Sequence, residues 1–300
     1  MQRTLLIAIG GNALLRQGET ASIAAERTRI AETCRTIAAV LAQGWRAIIT
    51  HGNGPQVGAA LLRSELAALA VYPMPLDVCV AATQGEIGYL LQQALLAEMA
   101  SRDLHRPICT VVTQVVVRPD DPAFAHPTKP IGPDRRVVAS PEPCEVVEEA
   151  VIRQIVDTGA VVITAGGGGI PVVREGHRLT GIEAVIDKDL SSALLATRLG
   201  VDRLVMSTDV DRVYLDFGTA RARGLDRVAP AELRRYAADG HFPPGTMGPK
   251  VEAALRFVEA GGVEAIVTAH DGLEAALEGR AGTHVTRTGA GSPADKEIGN

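Results

Sequence analysis

Three of the four lysines in this 300-residue chain lie in short motifs rich in Pro, Gly and Asp. They are Lys129 in Pro-Thr-Lys-Pro, Lys188 in Ile-Asp-Lys-Asp and Lys250 in Gly-Pro-Lys. Arginine supplies nearly all the remaining positive charge, since Lys and Arg together number 30. A lysine carries a compact, strongly hydrated charge on a flexible stem, which suits contacts with phosphate. We therefore take these lysines as candidate active-site residues; the alternative is a chance placement of surface charges.

Glycine-rich segments follow three of the predicted strands, and they are Gly10-Gly11-Asn12, His51-Gly52-Asn53-Gly54-Pro55 and Gly166-Gly167-Gly168-Gly169. In open α/β sheets, ligands bind at the carboxyl ends of strands, where a following helix offers free N–H groups. Glycine also lets the backbone approach a phosphate closely. The three loops are therefore predicted to converge on an anion, although a tight turn alone also favours glycine at the first loop. We assign His51 no chemistry, because a single histidine at a strand end is more often a structural hydrogen bonder.

Two acidic motifs border predicted secondary-structure elements. Asp187-Lys188-Asp189 precedes a predicted helix, and two flanking carboxylates can hold a flexible lysine in place; the alternative is a helix N-cap in a solvated charge cluster. Asp209 and Asp211 follow a predicted strand, where a polar turn is the alternative. Tyr214 is a candidate contact for a base or a packing residue. No P-loop or dinucleotide-binding glycine motif is present in the sequence, which disfavours both of those classes.

Short apolar runs alternate with stretches of helical period along most of the chain. This pattern is typical of an α/β fold in which helices cover both faces of a mainly parallel sheet. The predicted strands are Thr4 to Ile9, Ala47 to Thr50, Ile108 to Val117, Ala160 to Thr164, Arg203 to Ser207, Glu264 to Thr268 and Thr283 to Thr286, with a hairpin over Pro171 to Leu179. The predicted helices are Ala21 to Gln43, Pro55 to Ala70, Thr83 to Ala100, Glu145 to Asp157, Leu190 to Leu199, Pro230 to Asp239 and Pro249 to Ala260.

Composition limits the class of protein. With 46% hydrophobic and 22% charged residues, the chain is predicted to be soluble and globular, with one large domain or two lobes. A net charge of -5 without a basic stripe disfavours nucleic acid as a partner. No apolar run approaches the ~20 residues of a membrane span. The four widely spaced cysteines favour reduced thiols in a cytoplasmic protein over a disulfide or zinc framework. Residues 287–300 are predicted to form a flexible tail.

Six motifs, taken in order between Leu5 and Val285, resemble the carbamate kinase branch of the amino acid kinase family. They are Gly10 to Ala13, Thr50 to Gly58, Pro127 to Gly132, Ala165 to Pro171, Ala184 to Asp189 and Pro249 to Ala254. The resemblance implies a three-layer α/β/α kinase that forms a homodimer. It also implies reversible phosphoryl transfer between MgATP and carbamate, with ATP synthesis from carbamoyl phosphate as the expected direction.

The resemblance also implies roles for single residues. The residues expected to bind the acceptor and the transferring phosphoryl group are Gly10, Gly11, Asn12, Gly52, Asn53, Gly54, Gly167 and Gly168. Lys188, Asp189 and Lys250 are expected to surround the phosphates, with the aspartate orienting the lysines, and Lys129 is the fourth catalytic candidate. The residues expected to border the nucleotide are Asp209, Tyr214, Met247 and Lys250. Mg²⁺ would be carried by the nucleotide. Residues 1–181 would form an acceptor-binding lobe and residues 182–286 a nucleotide-binding lobe of one continuous domain.

The chain departs from the family pattern after Gly132. Typical members continue there into a protruding lid subdomain, whereas here Gly132-Pro133-Asp134 joins the segment from Arg135 to Pro141 directly. Most of the lid is therefore missing. Because a lid excludes water and positions an attached lysine, its loss leaves the acceptor and the role of Lys129 open.

Two alternatives to a carbamate kinase follow from this departure. One is a related kinase whose acceptor is another small carboxylate or carbamate. The other is a non-catalytic sensor of carbamoyl phosphate or nucleotide. Retention of Lys188, Asp189 and Lys250 together disfavours the sensor, because binding alone needs no lysines aimed at a transferring phosphoryl group.

Overall fold

The computed structural model describes residues 3–11, 14 and 22–287. Asn12 and the predicted tail beyond residue 287 lie outside the described residues. The strands are β1 (Thr4–Ile9), β2 (Arg46–His51), β3 (Ile108–Thr110), β4 (Gln114–Val116), β5 (Lys129–Ile131), β6 (Arg136–Val138), β7 (Glu145–Val146), β8 (Val161–Ile163), β9 (Ile170–Glu175), β10 (Arg178–Gly181), β11 (Arg203–Thr208), β12 (Val213–Leu215), β13 (Arg223–Leu225), β14 (Arg227–Val228), β15 (Glu264–Ala269) and β16 (Thr283–Thr286). The helices are α1 (Ile23–Ala42), α2 (Gly54–Leu66), α3 (Leu76–Ala100), α4 (Pro122–Ala125), α5 (Glu149–Asp157), α6 (Lys188–Leu199), α7 (Pro230–Ala238), α8 (Met247–Glu259) and α9 (Leu273–Leu277).

The central sheet has the strand order β14-β16-β15-β11-β1-β2-β8-β3. Its strands pair in parallel except where β15 meets β16. Strand β1 lies in the middle, and successive side chains along it point to opposite faces. Leu5 and Ile7 therefore join one core and Leu6 and Ala8 the other. This confirms the predicted α/β class with a mainly parallel sheet buried on both faces.

Helices cover the two faces of this sheet. Helices α1 and α3 pack together on one side, where α1 buries Ile30, Cys34, Ile37 and Leu41 at helical spacing. Helices α6 and α8 pack together on the other side, over the core that contains Leu195. Strands β1, β2 and β11 all end at one edge of the sheet, so the loops that follow them are brought together there.

A second sheet, in the order β10-β9-β4-β7, stands beside the first. It contains the predicted hairpin over residues 171–179, which is confirmed with its turn at Gly176. Two smaller hairpins are formed by β5 with β6 and by β12 with β13.

The prediction of one continuous strand from Ile108 to Val117 is wrong. The chain turns after β3, because Thr113 directs its hydrogen-bonding groups to Gln84 in α3 and to Val111 instead of continuing the strand ladder. Its N–H donates to the side-chain oxygen of Gln84 at 2.8 Å and its hydroxyl donates to the Val111 carbonyl at 2.7 Å. Strand β3 therefore pairs with β8 in the central sheet, whereas β4 pairs with β9 in the second sheet.

Two predicted helix starts are also wrong. The helix predicted from Glu145 begins at Glu149, because residues 145–146 pair with β4 as a strand. The helix predicted from Thr83 begins at Leu76, directly after Pro75. Proline at this position cannot donate a backbone hydrogen bond to a preceding turn, which suits a helix boundary.

Across residues 3–11, 14 and 22–287, the structure contains no helix long and apolar enough to cross a membrane.

Candidate active site

The loops at the carboxyl ends of β1, β2 and β11 line one cleft of about 500 Å³. The cleft is completed by the first turns of α6 and α8 and by the β5–β6 hairpin. The predicted site residues that line it are Gly10, Gly11, Gly52, Asn53, Gly54, Lys129, Gly167, Lys188, Asp189, Asp209, Tyr214, Met247 and Lys250. The structure thus brings the three motif lysines into one place, as their sequence context indicated.

Asp189 connects two of these lysines. Its Oδ1 accepts a hydrogen bond from Lys188 Nζ at 2.6 Å, and its Oδ2 accepts one from Lys250 Nζ at 2.9 Å. The aspartate is 3% exposed, and both lysine side chains are largely buried. Such a bridge fixes two long and otherwise mobile side chains.

The electrostatics of this cluster follow from burial and pairing. Burial acts to raise the pKa of Asp189, but the charges of Lys188 and Lys250 and their hydrogen bonds hold it well below its usual range. Burial alone would lower the pKa of Lys250, yet the charge of Asp189 raises it above its usual value. Burial, reinforced by the charge of Lys250, lowers the pKa of Lys188. A carboxylate that stays ionised therefore holds two cations in a largely buried site.

Asp187 starts the helix that carries Lys188 and Asp189. Its Oδ1 accepts hydrogen bonds from the N–H groups of Asp189 at 2.9 Å and Leu190 at 3.3 Å. Each interpretation of the Asp-Lys-Asp motif is therefore correct in part. Asp187 is the N-cap, but the cluster is largely buried instead of solvated. Asp189 holds Lys188, whereas Asp187 does not hydrogen-bond that lysine.

Lys129 reaches the same helix start from the β5–β6 hairpin. Its Nζ donates to Asp187 Oδ2 at 3.1 Å and to the Ile186 carbonyl at 3.2 Å. The lysine is half-buried at the rim of the cleft. The short hairpin alone is enough to place this ammonium group next to the cluster around Asp189.

Gly52 lies beneath Lys188. A Cβ atom at position 52 would lie 3.4 Å from Lys188 Cδ, and the Gly52 N–H donates to the Ile9 carbonyl at 3.1 Å. The neighbouring Asn53 is buried, and its side-chain N–H donates to the Thr83 hydroxyl at 2.9 Å. The loop after β2 is thus tied to β1 and α3 while its backbone faces the cleft.

The Gly166–Gly169 segment needs glycine for both conformation and space. Gly167 has φ +67°, and a Cβ atom there would collide with the side chain of Asn53. Gly168 packs behind it against the Ile186 carbonyl instead of facing the cleft. From below, the side-chain amide of Gln84 donates to the carbonyl of Gly166 at 2.9 Å.

The other end of the cleft contains Asp209, Tyr214 and Met247. The Tyr214 hydroxyl donates to Asp211 Oδ1 at 2.7 Å, and its ring lies 5.7 Å from that of Phe217. Together these side chains form a mixed aromatic and polar wall, which suits a flat ring with polar edges.

Sequence reasoning missed several residues of this wall, and they are Arg212, Phe217, His241, Phe242 and His270. His270 was detectable, because it directly follows β15 at the same sheet edge as the glycine loops. His241 and Phe242 lie in a Pro-containing connection between α7 and α8 whose sequence is typical of an ordinary surface turn.

Several known proteins resemble this chain in sequence and in fold. The model of the amino acid kinase family matches residues 3–269. The carbamate kinase-like protein YahI of Escherichia coli is 45% identical over 317 residues, covering 96% of this chain and all of that protein. The carbamate kinase of Pyrococcus furiosus is 41% identical, covering 95% of this chain and 99% of that protein. The solved carbamate kinase of Giardia lamblia bound to AMP-PNP superimposes with a TM-score of 0.92 at 37% identity, covering 95% of this chain and 98% of that one.

His51 generates a prediction about stability. It is buried, its Nδ1–H donates to the Gly52 carbonyl at 3.0 Å, and burial lowers its pKa from 6.5 to about 4, with the charge of Lys188 acting in the same direction. As the pH falls from about 6.5 to about 4, the unfolded histidine binds a proton and the folded one does not. The free energy of unfolding therefore decreases over this window by up to ~3 kcal/mol from this residue.

We expect His51→Gln to remove that part of the pH dependence. The variant is expected to be less stable than the wild type at pH 7, but the difference should shrink as the pH is lowered from about 6.5 to about 4. Urea unfolding at half-unit pH steps measures this difference directly. A difference that stays constant over the window would contradict the assignment of a neutral buried His51.

Proposed function

The chain belongs to the amino acid kinase family, and from this premise we propose that it is a carbamate kinase. It would transfer the γ-phosphoryl group of MgATP to carbamate and, in reverse, make ATP from carbamoyl phosphate and MgADP. The observation that carries the proposal is the pairing of Lys188 and Lys250 through Asp189 at the meeting point of the glycine loops. The near full-length similarity to curated carbamate kinases supports the choice of acceptor.

The chemistry suits this site. Carbamate is already an anionic nucleophile, so the reaction needs positioning and charge neutralisation more than a general base. Two unit charges of the same sign ~4 Å apart cost ~4 kcal/mol at an effective dielectric constant of about 20. Lys188 and Lys250 are preorganised to offset that repulsion, and they act strongly because the site is largely buried.

The acceptor side would be formed by the backbone of Gly10, Gly11, Gly52, Gly54 and Gly167 together with the Asn53 side chain. The glycines leave room for close approach of an anion to the backbone. Asp209, Tyr214 and Met247 would border the nucleotide at the other end of the cleft. Lys188 and Lys250 lie between the two ends and would contact the transferring phosphoryl group.

We propose that Mg²⁺ enters with the nucleotide. Both oxygens of Asp189 are taken up by lysines, so this carboxylate does not present a free ligand to a metal. The residues present therefore fit an ion held mainly by phosphate oxygens, which is the usual preference of Mg²⁺ in kinases. The ion would neutralise charge on the β- and γ-phosphates.

A cytoplasmic location remains a prediction from the sequence.

Lys129 would assist phosphoryl transfer even though most of the lid is missing. The β5–β6 hairpin holds it 3.1 Å from Asp187 at the rim of the cleft, while Lys188 and Lys250 are more deeply placed. The hairpin would therefore supply a cation near the acceptor, and the more buried pair would carry most of the charge stabilisation.

We further propose a homodimer, which the family resemblance implies. One face of α3 exposes Val78, Ala82, Gly85, Tyr89 and Leu96 at helical spacing, a mainly apolar stripe that Gln93 interrupts. Tyr89 is 55% exposed and Leu96 is 46% exposed. A second copy of the chain packed along α3 would cover these side chains, and Gly85 would let two helices approach closely.

The test of the proposed function is ATP formation from carbamoyl phosphate and MgADP by the purified chain, with spontaneous decay of carbamoyl phosphate subtracted. We expect Lys188→Ala and Lys250→Ala each to lower kcat by about 10² to 10³, since each removes a preorganised cation from a largely buried cluster. Lys129→Ala is expected to lower kcat less, because Lys129 lies at the rim.

Thermal unfolding of each variant is the control for loss of fold. An equal or larger loss of kcat at Lys129 would contradict the ranking. Absence of turnover in the wild type, despite calorimetric binding of ADP, would instead favour a kinase of another small carboxylate or a non-catalytic sensor.

The dimer makes a separate prediction. Tyr89→Glu combined with Leu96→Glu is expected to shift the chain to a monomer, because each chain would bury two carboxylates without partners in the contact. Sedimentation equilibrium measures the shift, and Val263→Glu is the matched control, since Val263 is exposed on the distant turn between α8 and β15. A dimer of unchanged affinity in the double variant would show that α3 is not the contact.

A further inference from the structure

His270 lies where the two halves of the cleft meet. It directly follows β15, and its ring lines the cleft. The ring packs against Gly10, because a Cβ atom built at position 10 would lie 3.0 Å from His270 Cε1 and 2.9 Å from the Ser207 carbonyl. The first glycine loop thus approaches this histidine closely only because position 10 has no side chain.

A chain of hydrogen bonds runs through the imidazole. His270 Nδ1 lies 3.0 Å from Ser207 Oγ, and His270 Nε2 lies 3.3 Å from Asp209 Oδ1. Ser207 Oγ in turn accepts a hydrogen bond from the Gly10 N–H at 3.3 Å. Ser207 is buried, whereas Asp209 is more than half exposed toward the cleft.

One tautomer of His270 satisfies every group in this series of hydrogen bonds. With the proton on Nε2, the imidazole donates to Asp209 and accepts at Nδ1 from the Ser207 hydroxyl, and the Ser207 oxygen accepts from Gly10. Ser207 therefore links the imidazole ring to the backbone at Gly10.

We propose that His270 is a positioning residue that couples the two substrate loops. Through Nε2 it would orient the Asp209 carboxylate on the nucleotide side. Through Nδ1 and Ser207, which accepts the Gly10 N–H, it would fix the backbone of the first glycine loop on the phosphoryl-transfer side. The proposal rests on the proposed function, because it assigns Asp209 to nucleotide binding and Gly10 to the transferring phosphoryl group. The two effects pass through different nitrogens of one ring, which makes them separable.

Two substitutions separate the two nitrogens. In His270→Asn, the short amide side chain would occupy the region of Nδ1 and keep a partner for Ser207 while losing the contact with Asp209. In His270→Gln, the longer side chain places its amide near Nε2 and keeps the contact with Asp209 while losing Ser207. His270→Leu removes both contacts at similar volume.

The experiment measures kcat and the KM for ADP in ATP formation, with calorimetric ADP binding as a readout independent of turnover. His270→Asn, which loses the contact with Asp209, is expected to raise the KM and the Kd for ADP about three- to tenfold and to change kcat by a smaller factor than KM. His270→Gln, which loses the contact with Ser207, is expected to lower kcat about three- to tenfold and to change KM by a smaller factor than kcat. His270→Leu should show both effects, and each lost hydrogen bond accounts for a change of this size.

A double-mutant cycle with Ser207→Ala tests the path to Gly10. The decreases in kcat for His270→Leu and Ser207→Ala should not multiply in the double variant, because both substitutions interrupt the same series of hydrogen bonds.

The proposal is overturned if His270→Leu stays within twofold of the wild type in kcat, KM and Kd, or if His270→Asn and His270→Gln change kcat and KM in the same proportion. A wild-type chain without ATP formation refutes the proposed function instead, and Kd for ADP then still tests the contact between His270 and Asp209.

Discussion

One buried carboxylate between two ammonium groups is the interaction on which the site depends. Asp189 is bonded to Lys188 and to Lys250, and Lys250 lies 61 positions further along the chain than Asp189, in the first turn of a different helix. Removing one partner of a buried ion pair costs ~3–5 kcal/mol, because the remaining charge keeps its desolvation penalty. The packing of α6 against α8 is therefore tied to the same interaction that holds the charges for chemistry.

The backbone around this cluster is arranged to leave space. Gly10 lets the His270 ring approach β1, Gly52 supports the stem of Lys188, and Gly167 turns with φ +67° against Asn53. In each case the absent side chain leaves room for a neighbour that faces the cleft. The edge of a parallel sheet thereby presents N–H groups and side-chain cations to one small volume, which an anion transfer reaction requires.

Much of this site could be predicted from the sequence because its signals are local. The strands β1 and β16 were predicted with their observed bounds, and Lys129, Lys188 and Lys250 were recognised from their motifs and meet in one cleft. What the sequence did not reveal depends on contacts between distant segments. The turn between β3 and β4 depends on Gln84 in α3, and the importance of His270 depends on its contact with Gly10 near the other end of the chain. Neither contact leaves a periodic pattern that local reasoning detects.

The most direct test of the account is the kcat for ATP formation in Asp189→Asn, compared with Asp187→Asn as a matched control. Asparagine caps a helix about as well as aspartate, so the control removes a neighbouring charge and keeps the helix start. We predict that Asp189→Asn loses about 10² to 10³ in kcat, because its two lysines lose the ionised partner that orients them, and that Asp187→Asn loses far less. A kcat within about tenfold of the wild type for Asp189→Asn, or equal losses in the two variants, would contradict it.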